Sequence, residues 1–337
     1  MGAGSVRAGI ITGAMEKIRT AVIGVGYLGR FHARKYAQLP ASDLIAVVDL
    51  SAAAREPLAE ELGTRALEHH SELIGQVDAV SVVTPTPGHF AIARELLAAG
   101  VHVLVEKPIT ETPAEARELI RLARAHGRVL QVGHLERFNP AILAAEPYLH
   151  APRFIECHRL APYRDRGTEV NVVLDLMIHD IDIVQTIVGA PIAAIEAIGT
   201  PVFSAETDIA NARIRFDNGC VANVTASRVS LKTERKMRVF SPVDEAYLSI
   251  DLHQRVVTLI RKRADVPAEG QLPVTIEEQS FESGDALKAE IESFLSCVRS
   301  GTAPVVTGEA GLQALETAIR ITEQVRRSSR SAAAGVG

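Results

Sequence analysis

The chain has 337 residues, 47% apolar and 23% charged, with a formal net charge of −5. That is enough apolar material for a large core, and a length that ordinarily splits into two domains. The charge gives no reason to expect nucleic acid or an anionic membrane as partner, and no apolar run reaches the roughly 18 residues needed to span a bilayer.

Residues 1–15 are Gly/Ala-rich with a single charge, Arg7, a poor secretory signal. Met15, followed by Glu16 and Lys17, is a plausible alternative start, so 1–15 is expected to be a disordered extension. Cys157, Cys220 and Cys297 are scattered and show no CxxC spacing. That pattern points to reduced thiols in a cytoplasm and gives no structural zinc; no metal site is expected.

From residue 18 the pattern alternates between strand and helix. Ile18 to Ile23 reads as a buried strand, running into Gly24-Val25-Gly26-Tyr27-Leu28-Gly29 and then a helix. Gly-x-Gly-x-x-Gly at a strand-to-helix junction suits a dinucleotide. Gly24 makes the tight turn, Gly26 lets a pyrophosphate approach, and Gly29 lets the helix pack closely. Tyr27 and Leu28 lie in the same turn and are assigned to the cofactor with it. The next strand, Leu44 to Val48, ends in Asp49, about 20 residues past Gly29. An acid there can bond both adenosine ribose hydroxyls and repels a 2′-phosphate, which favours NAD over NADP.

A helix over Ala52 to Leu62 precedes a third strand over Ala79 to Val83. Thr84-Pro85-Thr86-Pro87-Gly88-His89 then forms a stiff loop over the nucleotide cleft, where Thr84, Pro85, Thr86 and His89 are cofactor candidates; His89 can equally cap the next helix. His69-His70 has no partner spacing and receives no role. A helix from Phe90 to Ala99 leads to a strand over Val101 to Val105, followed by Glu106-Lys107-Pro108. Ligands in open α/β sheets bind beyond the C-terminal strand ends, so Glu106 and Lys107 face the reactive end of the cofactor. A helix over Pro113 to His126 and a strand over Val129 to Gly133 complete a doubly wound parallel sheet.

Gly133-His134-Leu135-Glu136-Arg137-Phe138-Asn139-Pro140 hands over to a different pattern. Arg137 and Asn139 are substrate candidates; Asn139 can also simply start a turn before Pro140. Strand follows strand: Ile155 to Ala161, Ile192 to Gly199, Ala210 to Phe216, Cys220 to Ser227, Met237 to Phe240, Glu245 to Leu252, Arg255 to Arg261 and Val274 to Glu278. Asp217-Asn218-Gly219 between two of them is a hairpin signal. A large, open, mainly antiparallel sheet is expected, closed by helices over Asp285 to Arg299 and Glu309 to Arg327. Val173 to Asp182 reads as a helix that places Asp175 and His179 four apart on one face. A carboxylate beside an imidazole raises its basicity, which suits removal of a proton from an alcohol. Arg159, Arg164 and Arg166 are available for a carboxylate or a diphosphate.

Taken in order, Gly24-x-Gly26-x-x-Gly29, Glu106-Lys107-Pro108 and Asp175-x-x-x-His179 resemble the glucose–fructose oxidoreductase/inositol dehydrogenase/MocA family over roughly residues 17–328. The resemblance implies an NAD-binding Rossmann domain over 16–136, a substrate and oligomerisation α+β domain over 137–328 and a flexible tail over 329–337. It implies that Lys107, Asp175 and His179 line the substrate site, with Lys107 and His179 able to exchange the role of base. The stretches around His134 and Asp175 are closest to nucleotide-sugar members that oxidise C3 of UDP-N-acetylglucosamine and feed a sugar aminotransferase in lipid A synthesis. Oxidation of a UDP-sugar uronic acid, a free sugar or inositol is the related alternative, and a non-catalytic dinucleotide sensor is the other. A homodimer or homotetramer is expected.

Overall fold

The computed structural model describes residues 16–164, 168–243, 245–265, 272–282 and 284–334, with side chains to 328. The extension expected over 1–15, and Arg166, lie outside the described residues.

The first half alternates strand and helix: β1 (Ile18–Ile23), α1 (Gly29–Gln38), β2 (Ser42–Val48), α2 (Ala52–Leu62), β3 (Arg65–Leu67), β4 (Ala79–Val82), α3 (His89–Ala98), β5 (His102–Glu106), α4 (Pro113–Ala125) and β6 (Leu130–Gly133). The six strands form one parallel sheet in the order β3-β2-β1-β4-β5-β6. Both of its faces are covered, so β4 and β5 are buried at every position. The order reverses between β1 and β4, which opens a crevice at the carboxyl ends of those strands.

The chain continues through α5 (Pro140–Ala145), β7 (Phe154–Leu160), α6 (Ile178–Val188), β8 (Ile192–Thr200), β9 (Ile209–Phe216), β10 (Val221–Ser227), β11 (Glu234–Ser241), β12 (Ala246–Asp251), β13 (Val256–Lys262), β14 (Val274–Ser280), α7 (Ala286–Ser300) and α8 (Gly308–Ala334). These strands form a second sheet in the order β14-β13-β12-β11-β7-β10-β9-β8. It is antiparallel except for β7 against β10. Burial alternates along β9, the signature of a sheet with one face on the core and one toward solvent. Gly219 closes the expected hairpin with φ at +81°.

The last two helices tie the sheets together. Ile291, Phe294 and Leu295 of α7 pack with Ala33 and Tyr36 of α1 on one face of the first sheet. Leu315 of α8 enters the core on the opposite face, while Ala314, Ala318, Ile321 and Val325 of the same helix belong to the second sheet's core.

The expected helix over Val173 to Asp182 differs from the structure. Val173–Met177 forms a π-helical turn, and regular α-helix begins only at Ile178. The hydrogen bonds of such a turn run five residues back, so the 3.6-residue register that would stack Asp175 over His179 does not hold there.

Candidate active site

The crevice beside β1 is a cavity of about 880 Å³, lined among others by Gly24, Gly26, Tyr27, Leu28, Asp49, Thr84, Pro85, Glu106 and Lys107. That volume is in the usual range for a small-molecule site, about 300–1,000 Å³. Its shape depends on two glycines. Gly24 holds φ at +84°, and a Cβ there would sit 2.7 Å from the Thr84 backbone nitrogen. A Cβ on Gly29 would lie 1.8 Å from the Gly24 carbonyl oxygen. A Cβ on Gly26, in contrast, would meet nothing within 4 Å: this backbone is open to a ligand. α1 starts beside it without a side-chain cap, so its positive dipole end faces the cleft. The Asp49 carboxylate is pinned by N–H groups of Val25 at 2.8 Å and Ser51 at 2.9 Å. An uncapped helix start, an open backbone and a fixed acid fit a dinucleotide's pyrophosphate and adenosine ribose.

Tyr27 and Leu28 are exposed at the mouth. Thr84 and Pro85 line the wall and Thr86 is not part of the lining. His89 departs from the expected cofactor contact. It is 1% exposed, with Nδ1 2.9 Å from the Pro108 carbonyl and Nε2 2.8 Å from that of Thr84. Its ring clasps two loops of the cleft together from behind. His69 and His70 do line the cavity, next to Glu68. Sequence reasoning passed over them because β3, which delivers them, is three residues long and carries no periodic signal.

At the inner end, Lys107 reaches across to the second half of the chain. Its Nζ donates to the Asp175 carbonyl oxygen at 2.7 Å and lies 3.7 Å from the Asp175 carboxylate. Burial pulls the ammonium below its usual value, against the upward pull of Asp175 and Glu106. The Lys107–Pro108 peptide is cis. His179 lies near this lysine, and burial, then Lys107, hold its imidazole well below the usual value. No hydrogen bond joins it to Asp175. This corrects the expected Asp175–His179 pair: the π-turn redirects the aspartate toward Lys107. His179 is partly exposed, yet its Nδ1 is enclosed without a partner.

Behind Glu106 lies a buried polar cluster. His32 Nε2 is 3.2 Å from Glu106 Oε1, and His32 Nδ1 is 3.2 Å from Ser81 Oγ. Glu290, fully buried, has no partner for either carboxylate oxygen, and one of its oxygens lies within 4.8 Å of a His32 ring nitrogen and a Glu106 carboxylate oxygen. Burial, then Glu106, push its carboxyl well above the ordinary range. A proton on Glu290 accounts for two acids sharing this space.

Three expected substrate contacts are committed elsewhere. Arg159, 3% exposed, forms a fork to Asp180 at 2.9 and 2.8 Å and bonds Glu136 at 2.9 Å. It sits inside an ion-pair cluster, not in an open anion site. Asn139 caps α5, accepting from Ala141 N at 3.0 Å, while its Nδ2 donates to Glu136 and to the Leu252 carbonyl. The turn-forming alternative is the one realised. Arg137 bonds Thr186 and the Val305 carbonyl, with Nε 3.9 Å from Asp182. Arg164 is exposed after β7.

Comparison with known proteins agrees with this geometry. Residues 18–134 match the family described as an oxidoreductase family with an NAD-binding Rossmann fold, and 161–332 match its C-terminal alpha/beta domain. UDP-N-acetylglucosamine 3-dehydrogenase of Acidithiobacillus ferrooxidans is 39% identical over 308 residues, 91% of this chain and 97% of that one. A solved structure of that enzyme superposes with a TM-score of 0.87, covering 92% of this chain and 98% of its own. A scyllo-inositol 2-dehydrogenase (NAD(+)) of Bacillus subtilis is 28% identical, covering 92% and 95% of the two chains. The structure of scyllo-inositol dehydrogenase from Lactobacillus casei with bound NAD(H) and scyllo-inositol shares the fold, with 20% identity, a TM-score of 0.76 and coverage of 93% and 98%. Among the described residues, no helix is long and apolar enough to cross a membrane.

Proposed function

The chain belongs to the Gfo/Idh/MocA family of oxidoreductases, and from that premise we propose that it oxidises C3 of UDP-N-acetylglucosamine to a ketone, with NAD as hydride acceptor. The substrate reading is supported by the end-to-end likeness to the Acidithiobacillus enzyme. The geometry that carries the chemistry is Lys107, which bridges from the inner end of the nucleotide cleft to Asp175 with His179 close by.

In this reading the start of α1 and the open backbone at Gly26 hold the pyrophosphate, and Asp49 holds the adenosine ribose. Asp49 selects NAD over NADP, because a pinned carboxylate repels a 2′-phosphate. NAD bound there supplies the hydride acceptor. The Lys107 ammonium donates to the reacting hydroxyl oxygen, favouring its alkoxide character. His179 receives the hydroxyl proton; burial and the neighbouring lysine keep it neutral and ready to accept. Glu106, bonded to His32 and to the Lys107 N–H, fixes the strand end from which the lysine projects.

A 3-keto sugar nucleotide is a substrate for amino transfer, so a sugar aminotransferase is proposed as the enzyme that consumes the product. A homodimer or homotetramer in a cytoplasm is proposed with it, the latter consistent with the three free, buried cysteines. The test is one incubation of the protein with NAD, UDP-N-acetylglucosamine, glutamate and a sugar aminotransferase that traps the ketone, read by mass spectrometry. An amino-for-hydroxyl change at C3 is the expected product. No product, with turnover on scyllo-inositol or a UDP-uronic acid instead, would transfer the assignment to that substrate.

A further inference from the structure

Behind His179 lies a group of side chains that the reaction as described does not use. His134 follows β6 and is 1% exposed, and neither of its ring nitrogens has a partner. Its ring meets His179 edge-on, with centroids 6.4 Å apart at 84°. Asp182, one turn after His179 on α6, is 2% exposed, and its Oδ2 is also without a partner. The nearest cation to it, Arg137 Nε at 3.9 Å, is beyond hydrogen-bond distance. With the enclosed His179 Nδ1, these are unpaired polar atoms on three neighbouring side chains. Leaving a buried polar atom of this kind unsatisfied is unfavourable. Between His179 and Asp182 on α6 lie Asp180, whose carboxylate is taken up by Arg159, and Ile181, which is buried in the second sheet's core.

We propose that His134 and Asp182 are positioning residues for His179, linked to its Nδ1 in a relay that ends on the Asp182 carboxylate. The proposal rests on the reading of His179 as the acceptor of the sugar proton. At the observed ring separation the imidazole nitrogens are too far apart for a direct bond, and one bridging water spans such a gap.

The polarity of the relay follows from its last member. A carboxylate only accepts, so the His134 N–H is the end that serves Asp182, across a second bridging water, since neither His134 nitrogen bonds the carboxylate directly. The other His134 nitrogen then accepts, and the proton donated toward it is the one on His179 Nδ1. That leaves the Nε2 lone pair of His179 as the edge available to the cleft, which is the tautomer a base needs. When the sugar hydroxyl proton arrives on Nε2, the Nδ1 proton shifts toward His134 and the His134 proton toward Asp182. No oxidant or reductant is needed beyond the NAD that takes the hydride.

The charges around the relay support this role. Those acting on His179 come from Lys107, Arg159, His134 and Arg235, all of which oppose a positive imidazole. Those acting on His134 are Asp182 and Glu106, which favour its positive form, and Lys107 and Arg137, which oppose it. Asp182 exerts the strongest upward pull on His134. In the proposed relay Asp182 acts on His134 and, through it, on His179.

The test is a long-range proton–nitrogen NMR spectrum of the NAD-loaded protein, labelled with 15N at histidine, near neutral pH. Wild type is compared with Asp182→Asn and His134→Phe, with His179→Gln used to assign the signals. Wild-type His179 should be a single neutral tautomer protonated at Nδ1. Both variants should show a mixed or inverted tautomer, with turnover reduced about 10-fold or more and the KM for sugar unchanged, since a wrong tautomer disables a base. The same Nδ1-protonated form in all three proteins, or Nε2 protonation in wild type, overturns the relay. If a variant fails to fold, the wild-type spectrum still decides on the tautomer. Full turnover by His179→Gln would instead remove the base assignment, a separate outcome.

Discussion

Lys107 Nζ donates to the backbone carbonyl oxygen of Asp175 at 2.7 Å, while the Asp175 carboxylate stands 3.7 Å away. The lysine is therefore positioned by the backbone of the widened turn, and the carboxylate acts on it through its charge. Asp175→Asn should keep the positioning bond and remove the charge. Because Asp175 raises the Lys107 ammonium against burial, its loss should lower the lysine further. The pH profile of kcat/KM should then move to lower pH. An unmoved profile would mean that the carboxylate does not tune Lys107.

Lys107→Met and His179→Gln should each lose about 10²–10⁴-fold in turnover, the usual contribution of a positioned acid or base. NAD should still bind, because the glycine turn and Asp49 are untouched. With no Trp in the chain, the cofactor's own fluorescence is the way to follow it. Equal loss of turnover and cofactor affinity in either variant would point to a structural role.

Asp49→Ala should weaken NAD far more than NADP and move their affinity ratio at least about 10-fold toward NADP, as expected when a repulsive element is removed. The carboxylate is held by the Val25 and Ser51 N–H groups, so its loss also loosens the turn for both cofactors. The discriminating quantity is the ratio, measured by titration; a parallel loss for the two would refute selection by Asp49.

What could be read from the sequence was local. The glycine turn, the strand that ends in Asp49 and the Lys107 strand end depend on spacing within one βαβ unit. The parallel sheet followed from strands alternating with helices. The Asp175–His179 pair was misread because a π-turn leaves no mark in residue spacing. Arg159 was offered as an anion ligand because its partners, Glu136 and Asp180, lie 23 and 21 residues away and nothing in the chain marks their meeting. The same holds for His32 with Glu106, 74 residues apart.

Glu290 should make the protein less stable as the pH rises. Burial and then Glu106 raise its folded-state carboxyl well above the ordinary value. A group raised on folding contributes stability fully below its unfolded value, and that stability is lost as pH climbs toward the folded value. Glu290→Gln keeps the neutral shape without the titration. Its melting temperature should match wild type near pH 4.5 and exceed it increasingly as the pH rises above that. The groups facing Glu290, namely Glu106, His32 and Tyr36, remain in the variant. A difference that stays flat between pH 5 and 8 would mean that Glu290 is ionised throughout, with some other group balancing it.

Arg159 separates a structural cation from a substrate ligand. Burial disfavours its charge, but Asp180 and then Glu136 more than restore it. In turn burial pushes Glu136 up, and Arg159, with Arg235 and Asn139, outweighs that and holds it low. Arg159→Ala would strand Asp180 and leave Glu136 to Arg235 and Asn139 alone, and breaking such a buried pair costs about 3–5 kcal/mol. The expected result is a melting temperature lower by several degrees at neutral pH. Adding Glu136→Gln and Asp180→Asn to the same variant should recover part of the loss, because the stranded charges go with the arginine. If Arg159→Ala instead melts like wild type and raises only the KM for the sugar nucleotide, the arginine binds substrate and the ion-pair cluster is incidental.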